Sequence, residues 1–491
     1  MRRPLSTLLF LPAFPLLLSA QAPYVAPTDT TVVAKLEQWK DLKFGLLMHW
    51  GPYSQWGVVE SWSICPEDEG WCERKPQHGA TYAEYVKNYE ALQTTFNPAK
   101  FDPTPWAKAA KDAGMKYMVF TTKHHDGFCM FDTKTTDYKI TSPNTPFHRR
   151  PRANVTKEIF TAFRNEGLWT GAYFSKPDWH SPDYWWPYFP PKDRNVNYLP
   201  TRYPERWQAF KDHTYSQIEE LMTGYGSVDI LWLDGGWVRP FNSIDTSVSW
   251  QKAITIEQDI DMPRIAAMAR KHQPGLLVVD RTVGGEYENY VTPEGHVPDA
   301  DLGVPWETCM PMGTSWSWVS NEKYKSTDEI IRTLVSVVSR GGSLLLNVAP
   351  GPDGQLDSMA YVRLREVGAW LKVNGEAIYE REGKVYFRTD REAMVVDRGR
   401  VISQAVFDAL DTRRRGDEYN YLFIDSTSVG EIDLGCIADK LIGRPEILGD
   451  SKKPRTMVKD CRVVIHLTKE DLNGPTAIKV IRIRRRMDKI V

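Results

Sequence analysis

The chain of 491 residues lacks an excess of either charge, and it lacks long apolar segments beyond its first residues. Its 62 basic and 63 acidic residues give a formal net charge of −1, so no overall field attracts nucleic acid or an anionic membrane. No later segment approaches the roughly 18 consecutive apolar residues of a membrane-spanning helix. We therefore expect neither a nucleic-acid partner nor a membrane span, and the oligomeric state stays open.

Several catalytic motifs are also missing. No G-x-G-x-x-G turn follows an apolar strand, which argues against a dinucleotide-binding fold, and no G-x-S-x-G element supplies a serine nucleophile. The zinc motifs H-E-x-x-H and C-x-x-C are absent. A zinc hydrolase would have to use His49, His124, His125 and nearby aspartates, but adjacent His124 and His125 on extended backbone are expected to point to opposite sides. We expect no cofactor and no metal.

Cysteine is scarce, and the six residues in the chain are too few for a dense disulfide framework. Four cysteines lie in the longer part of the chain: Cys129, Cys309, Cys436 and Cys461. We expect most of them to be small buried apolar residues.

The N-terminus combines Met1-Arg2-Arg3, an apolar stretch from Leu8 to Leu18 and the small residues Ser19-Ala20-Gln21-Ala22. This order is typical of a signal peptide. We expect residues 1–22 to be removed and the chain to be periplasmic or secreted.

Tryptophan, by contrast, is abundant, with 18 residues, many beside Pro, Gly, Asp or His, which indicates that some line a cleft. The apolar run from Val228 to Trp237 delivers Asp234 into a glycine turn with Trp232 and Trp237 on either side. A buried strand end holds an ionised Asp only where hydrogen bonds or a partner offset its desolvation. We interpret Asp234 as a nucleophile facing a carbohydrate, with helix capping or turn ordering as the alternative.

Six strand-like apolar runs alternate with helical patterns. The runs are Phe44 to Met48, Tyr117 to Thr121, Trp169 to Phe174, Ile230 to Leu233, Leu276 to Val279 and Leu344 to Val348. Strands buried on both faces that alternate with amphipathic helices predict an α/β chain with a TIM-like (β/α) barrel, here over residues 23–376. Short β-rich pieces such as 385–387, 394–396, 421–423 and 463–465 then predict a C-terminal antiparallel β-sandwich over residues 377–491.

Polar residues follow the ends of the predicted strands, which in a parallel barrel open onto one face. They include His49, His124-His125-Asp126, Lys176-Pro177-Asp178, Asp234, Asp280-Arg281 and Asn347. Imidazole donors among indole faces fit a sugar pocket. Sugar hydrolysis needs a second carboxyl group to protonate the departing oxygen. The candidates after Arg281 are Glu286, Glu288, Glu294, Asp299, Asp301 and Glu307.

Four motifs resemble the retaining α-L-fucosidases of glycoside hydrolase family 29. They are Lys43-Phe44-Gly45 through His49-Trp50-Gly51, Thr121-Thr122-Lys123-His124-His125-Asp126-Gly127-Phe128, Trp232-Leu233-Asp234-Gly235-Gly236-Trp237, and Leu345-Leu346-Asn347-Val348 through Asp353-Gly354. The resemblance spans roughly residues 35 to 380. It implies a (β/α) barrel followed by a β-sandwich, no metal, and a covalent glycosyl-enzyme formed on Asp234.

The same resemblance implies substrate-binding roles. His49, His124 and His125 are expected to contact fucose hydroxyls. Trp232 is expected to pack on the sugar, and Arg281 to face the substrate.

Other positions match the family's motifs less closely. Tyr173 resembles the aromatic residue of the third strand, with Phe174 as the alternative. Glu60 and Trp62 resemble a Glu-Trp pair, although Ser61 separates them here.

The acid/base residue is assigned from a Thr-Pro-Glu element. Thr292-Pro293-Glu294 resembles that element, so Glu294 is the expected acid/base, with Glu288 and Glu307 as alternatives.

The predicted function is that of an exo-acting retaining α-L-fucosidase, which releases terminal fucose from a fucosylated oligosaccharide or glycoconjugate by double displacement. The same fold acting on another α-L-sugar such as an α-L-galactoside, and a secreted carbohydrate-binding protein without catalysis, are the alternatives.

Overall fold

The computed structural model describes residues 24–66, 72–380, 386–388, 419–425, 430–436, 438–439 and 441–484. The predicted signal peptide and the predicted strand at 394–396 lie outside these residues, so both stay predictions. None of the helices in the described part of the chain combines the length and apolar character required to cross a bilayer.

Seven parallel strands form one curled sheet in the first part of the chain. They are β1 (Phe44–Met48), β2 (Tyr117–Lys123), β3 (Trp169–Ser175), β4 (Ile230–Asp234), β5 (Leu277–Asp280), β6 (Glu307–Pro311) and β7 (Ser343–Asn347). Their order across the sheet is β5-β4-β3-β2-β1-β7-β6. The six predicted runs are confirmed as six of these strands. The sequence interpretation missed β6, because a glutamate at its start and a proline at its end interrupt the apolar pattern.

Nine helices are present in the described residues, and most connect one strand to the next. They are α1 (Thr30–Leu42), α2 (Tyr82–Glu90), α3 (Thr104–Asp112), α4 (Val155–Asn165), α5 (Pro204–Gly224), α6 (Ser249–Lys252), α7 (Met262–His272), α8 (Thr327–Ser339) and α9 (Ser358–Asn374). In α4, Val155, Ile159 and Phe163 recur at the spacing of one helix face, and all three are buried. The helices therefore cover the outer face of the sheet with apolar stripes.

The strands are buried on both faces, and alternate residues belong to two different cores. In β4, Ile230 and Trp232 join a cluster inside the curl of the sheet, whereas Leu231 and Leu233 pack with the helices outside. Successive side chains of a strand point to opposite faces, so this division follows directly from the sheet. It places the inward residues next to the site at the strand ends.

An irregular segment lies between β5 and β6 and hydrogen-bonds to both. The Asn289 amide donates to Val278 O at 2.9 Å, and the Glu307 amide donates to Val291 O at 2.9 Å. Glu294 forms an isolated parallel bridge with Cys309 in β6. The segment fixes Glu294 at this edge of the curled sheet.

The C-terminal part consists of two small sheets. Its strands are β8 (Tyr386–Arg388), β9 (Tyr419–Asp425), β10 (Gly430–Cys436), β11 (Glu446–Ile447), β12 (Arg455–Lys459), β13 (Arg462–Leu467) and β14 (Ile478–Arg484). The orders are β10-β13-β12 and β11-β14-β9-β8. All described pairs are antiparallel except β8 with β9, which are parallel, so the purely antiparallel prediction is wrong at that pair.

One hydrogen bond ties the C-terminal sheets to α9, and one disulfide lies within the three-stranded sheet. Trp370 of α9 donates a hydrogen bond of 2.9 Å from its indole to Ile478 O in β14. Cys436 and Cys461 form a disulfide, which corrects the expectation for this pair, while Cys129 and Cys309 are buried as expected. The domain boundary at residues 376 and 377 stays a prediction.

Candidate active site

A cavity of about 510 Å³ opens at the carboxyl ends of the parallel strands. Nine of the sequence-predicted site residues line it: His49, Glu60, Trp62, His124, Tyr173, Trp232, Asp234, Arg281 and Glu294. The volume lies in the range of about 300 to 1,000 Å³ that is typical of small-molecule pockets. The topology of the sheet brings these residues together from strands and loops that are distant in sequence.

Asp234, the last residue of β4, is held by three groups. Tyr173 donates its hydroxyl to Asp234 Oδ2 at 2.7 Å, and Arg281 donates from Nη1 to Oδ1 at 2.7 Å. His125 Nε2 lies 3.7 Å from Oδ2. Burial alone would raise the pKa of Asp234, but the positive Arg281 and these contacts hold that pKa well below its usual range. The carboxylate is therefore ionised and oriented.

The guanidinium of Arg281 joins the two carboxyl groups expected to react. Its Nη2 donates to Glu294 Oε2 at 2.7 Å while Nη1 binds Asp234. Its Nε donates to Thr292 Oγ1 at 3.0 Å, and its charged group lies 4.3 Å from the centre of the Trp232 ring. Because one planar guanidinium contacts both acids, it brings the carboxyl groups of Asp234 and Glu294 into the same site.

The three histidines differ in their partners. His49 Nδ1 lies 2.8 Å from Asn347 Oδ1, and His124 Nδ1 lies 2.5 Å from Ser61 Oγ. Burial lowers the pKa of both His49 and His125 to about 4, and it lowers the pKa of His124 well below its usual value. Near neutral pH each ring is uncharged, so each offers one N–H donor and one acceptor nitrogen.

His125 is the one predicted histidine that does not line the cavity. Its ring packs edge-on against Trp62 and Trp237, with centroid distances of 5.2 and 5.1 Å. It lies directly behind Asp234, within 3.7 Å of the carboxylate. Its position suits support of Asp234, and the expected contact of His125 with a fucose hydroxyl stays a prediction.

His124, His125 and Asp234 form the one group in the described residues whose ligand atoms, all within 4.8 Å of one another, could hold a metal. This corrects the expectation that the two histidines point to opposite sides, since their rings are 4.3 Å apart. Both lie beyond the end of β2, where strand alternation no longer applies. The oxygens of Asp234 already accept from Tyr173 and Arg281, and the guanidinium charge opposes a second cation there.

The alternative acids lie elsewhere. Glu307 is fully buried below the cavity, where it accepts hydrogen bonds from Tyr117 at 2.5 Å and from Trp232 at 3.1 Å. Glu288 accepts from the backbone amides of Thr282 and Gly284 at 2.8 and 2.9 Å. Burial raises the pKa of each to about 7, yet neither lines the cavity. Both therefore act as supports for the site.

Glu60 is a buried acid in the wall of the cavity. Burial raises its pKa well above the usual value, and the nearby carboxyl groups of Glu294 and Asp234 add to this effect. Its Oε1 is buried without a hydrogen-bond partner among the described residues. A buried polar atom of this kind costs free energy unless a ligand satisfies it.

Tyr173, and not Phe174, is the aromatic residue of β3 that faces the site. Its ring stacks on Trp232 with centroids 5.2 Å apart, whereas Phe174 points outward into the core beneath the helices. Successive side chains of β3 point to opposite faces of the sheet, so only Tyr173 of these two residues faces the cavity.

Six cavity residues were not predicted for the site: Leu47, Arg194, Trp250, Thr282, Cys309 and Trp316. Arg194 and Trp316 come from loops, and Trp250 comes from the short helix α6. No periodicity marks such positions, and the many tryptophans of the chain were the one available signal.

Comparison with known proteins gives a consistent result. The family model described as "Alpha-L-fucosidase" matches residues 16–376. The alpha-L-fucosidase of Branchiostoma floridae is 28% identical over 374 residues, which cover 73% of this chain and 75% of that protein.

Two solved structures resemble the whole chain. Alpha-L-fucosidase isoenzyme 1 from Paenibacillus thiaminolyticus has a TM-score of 0.71 and 27% identity, and the match covers 93% of this chain and 100% of that one. An alpha-L-fucosidase from Bacteroides thetaiotaomicron, solved as a trapped covalent intermediate with 2-fluoro-fucosyl fluoride, has a TM-score of 0.67 and 23% identity. That match covers 95% of this chain and 98% of the other.

Proposed function

The chain belongs to the alpha-L-fucosidase family of glycoside hydrolases, and we propose that it removes terminal α-L-fucose from fucosylated glycans with retention of configuration. The observation that supports this proposal is the Arg281 fork, which contacts both Asp234 and Glu294. Retaining glycosidases need two carboxyl groups about 5 to 5.5 Å apart, whereas inverting enzymes leave about 6.5 to 9.5 Å for a water molecule. Because one guanidinium contacts both Asp234 and Glu294, we infer the shorter separation of the two carboxyl groups, which is that of a retaining enzyme.

In the first step, ionised Asp234 attacks the anomeric carbon of fucose, and the bond to the leaving oxygen breaks. Glu294 gives its proton to that oxygen, so the aglycone departs as an alcohol. The contact between Glu294 and Arg281 opens for this transfer, because the carboxyl group must turn toward the leaving oxygen. The covalent intermediate trapped in the Bacteroides enzyme supports this route.

In the second step, Glu294 takes a proton from water, and the resulting nucleophile attacks the anomeric carbon. The ester bond to Asp234 breaks, and fucose leaves with its original configuration. Arg281 and Tyr173 stabilise the carboxylate of Asp234 as it departs, since both already donate to its oxygens.

The substrate-binding roles follow from polarity and shape. His49 and His124 have uncharged rings that can donate to, or accept from, sugar hydroxyls, and Glu60 presents a buried oxygen in need of a partner. Trp232 and Trp62 supply apolar faces for the C–H surfaces of the ring. A pocket of this size accommodates a chain end, which favours exo action.

Two broader inferences complete the proposal. We infer a TIM-like barrel in which the segment between β5 and β6 replaces a regular strand, followed by a β-sandwich. We also infer a periplasmic or secreted location from the predicted signal peptide.

The proposal is tested with 4-nitrophenyl α-L-fucoside and the isosteric variant Asp234→Asn. We expect the variant to lose about 10³-fold or more in kcat. Asp212→Asn, an exposed aspartate on α5, serves as the matched control and should retain wild-type kcat. Proton NMR of the first product should show α-fucose before mutarotation.

Near-normal activity of Asp234→Asn would end the nucleophile assignment, and β-fucose as the first product would show inversion. The sugar assignment is tested with 4-nitrophenyl α-L-galactoside, which is expected to react more slowly than the fucoside. Faster hydrolysis of the galactoside would instead make the enzyme an α-L-galactosidase.

A further inference from the structure

We propose that a second cavity beside the active site binds the sugar units of the leaving group, an inference that rests on the proposed function. This leaving-group cavity has a volume of about 330 Å³. Phe189 and Tyr203 provide aromatic walls, and Lys192, Asn197 and Arg202 provide polar groups. Aromatic faces beside hydrogen-bonding side chains are what a saccharide requires.

One stretch of chain borders both cavities. Asp193 lines the leaving-group cavity and Arg194 lines the active-site cavity, and consecutive Cα atoms are about 3.8 Å apart. The guanidinium of Arg194 lies 5.1 Å from the ring centre of Trp62 and 5.3 Å from that of Trp237. The two cavities therefore share a border at residues 193 and 194, and a glycan with fucose bound near Asp234 would extend across this strip of chain to reach the second cavity.

The strip is rigid before any ligand arrives. The carbonyl of Arg194 accepts from the indoles of Trp179 and Trp237 at 3.2 and 3.1 Å and from the hydroxyl of Tyr184 at 3.0 Å. Gln258 is fully buried and accepts from the Val196 amide at 3.0 Å. A fixed strip reduces the ordering cost of binding, which favours a site over an incidental gap.

Exposed apolar side chains concentrate around the same two loops. Tyr188 and Leu199 are 73% and 52% exposed in the loop after β3. Phe241 and Trp250 are 46% and 44% exposed in the segment after β4, where Trp250 belongs to α6. Exposed apolar groups gathered near a cavity mark interaction surfaces. The loop after β3 spans residues 176–203, which is more than the roughly 12 to 15 residues beyond which a loop is usually functional. It lies on the face of the sheet where the proposed reaction takes place.

The occupant we infer is the oligosaccharide to which fucose is attached. An aryl leaving group is a single ring, whereas a chain of several sugars is long enough to extend beyond the residues around Asp234. We expect selectivity for long substrates to depend on Arg202 and Leu199, which line the leaving-group cavity and are exposed.

The experiment measures kcat/KM for three substrates of increasing length: 4-nitrophenyl α-L-fucoside, 2′-fucosyllactose and lacto-N-fucopentaose. In Arg202→Ala and Leu199→Glu, the ratio of kcat/KM for the longest substrate to that for the aryl fucoside should fall about fivefold. Arg365→Ala, an exposed arginine on α9, is the matched control and should keep the wild-type ratio. Melting temperatures establish that each variant is folded.

An unchanged ratio in both cavity variants would overturn the proposal. So would a parallel loss on all three substrates, because it would indicate a structural role for the cavity. Calorimetric titration with lacto-N-tetraose, which carries no fucose, tests binding independently of turnover. We expect saturable binding that weakens about fivefold in Arg202→Ala. Absence of binding with a wild-type enzyme that hydrolyses the aryl fucoside would reject the second cavity and leave the proposed function intact.

Discussion

The indole nitrogen of Trp232 donates a 3.1 Å hydrogen bond to Glu307, a carboxyl group that is fully buried beneath the cavity. Tyr117 donates to the other oxygen of the same group. The floor of the site therefore rests on an acid that takes no part in the proposed proton transfers. Its burial makes the stability of the protein depend on pH.

Glu307→Gln should flatten the pH dependence of the melting temperature. Burial raises the pKa of Glu307 to about 7 from an ordinary value of 4.5, so its contribution is fully present below pH 4.5 and is lost as pH rises through 7. The loss is worth up to about 3 kcal/mol. We expect the wild-type melting temperature to fall more steeply than that of the variant between pH 5 and 8. Parallel curves would contradict the buried proton.

Glu294→Ala should slow hydrolysis most for substrates with poor leaving groups. Without a proton donor, alkyl or sugar leaving groups depart slowly, whereas 4-nitrophenolate needs little protonation. Azide should partly restore turnover and yield a fucosyl azide, because a small nucleophile can occupy the space of the missing carboxyl group. Glu288→Ala is the comparison variant, and rescue of Glu288→Ala in place of Glu294→Ala would move the acid/base role.

Arg281→Lys should lower kcat/KM about a hundredfold and shift its acid limb. The guanidinium holds the pKa of Asp234 low, and a lysine cannot contact Asp234 and Glu294 with the same planar fork. The pKa of Asp234 should therefore rise, so activity in the variant should decline at a higher pH than in the wild type. A pH profile of kcat/KM measures the shift, and an unshifted acid limb would show that Arg281 does not control Asp234.

Ser61→Ala should raise KM about fivefold with little change in kcat. The hydroxyl of Ser61 fixes one nitrogen of His124, which leaves the other nitrogen in a defined state for a sugar hydroxyl. Ser61→Thr, which keeps the hydroxyl, is the matched control. Equal KM values in Ser61→Ala and the wild type would show that this contact does not orient His124.

The sequence predicted the parts of the site that depend on strand ends. Asp234, Arg281 and His49 lie where parallel strands stop, and the rule that such ends share one face was sufficient to bring them together. Tyr173 was assigned from the family resemblance with Phe174 as the alternative, and a strand that is buried on both faces could not decide between them; the structure does, because Tyr173 pairs with Trp232 in the register of β3 and β4.

The sequence predictions that were wrong or missing concern positions that depend on local backbone geometry. The two histidines after β2 were assigned opposite directions because the strand was assumed to continue through them. β6 was missed because Glu307 breaks its apolar run, and its partner Trp232 is distant in sequence. Arg194 projects from a loop whose shape depends on hydrogen bonds to three aromatic residues, which no periodicity encodes.

The backbone around Asp234 is fixed by more regular strand pairing than the backbone around Glu294. Asp234 ends a strand that pairs on both sides, with β3 and β5, so moving it would disrupt two ladders. Glu294 belongs to the irregular segment between β5 and β6, and the length and path of that segment can change without breaking any regular strand pairing. In evolution or in engineering, the proposed proton donor could therefore change its position along this segment while the proposed nucleophile stays in place.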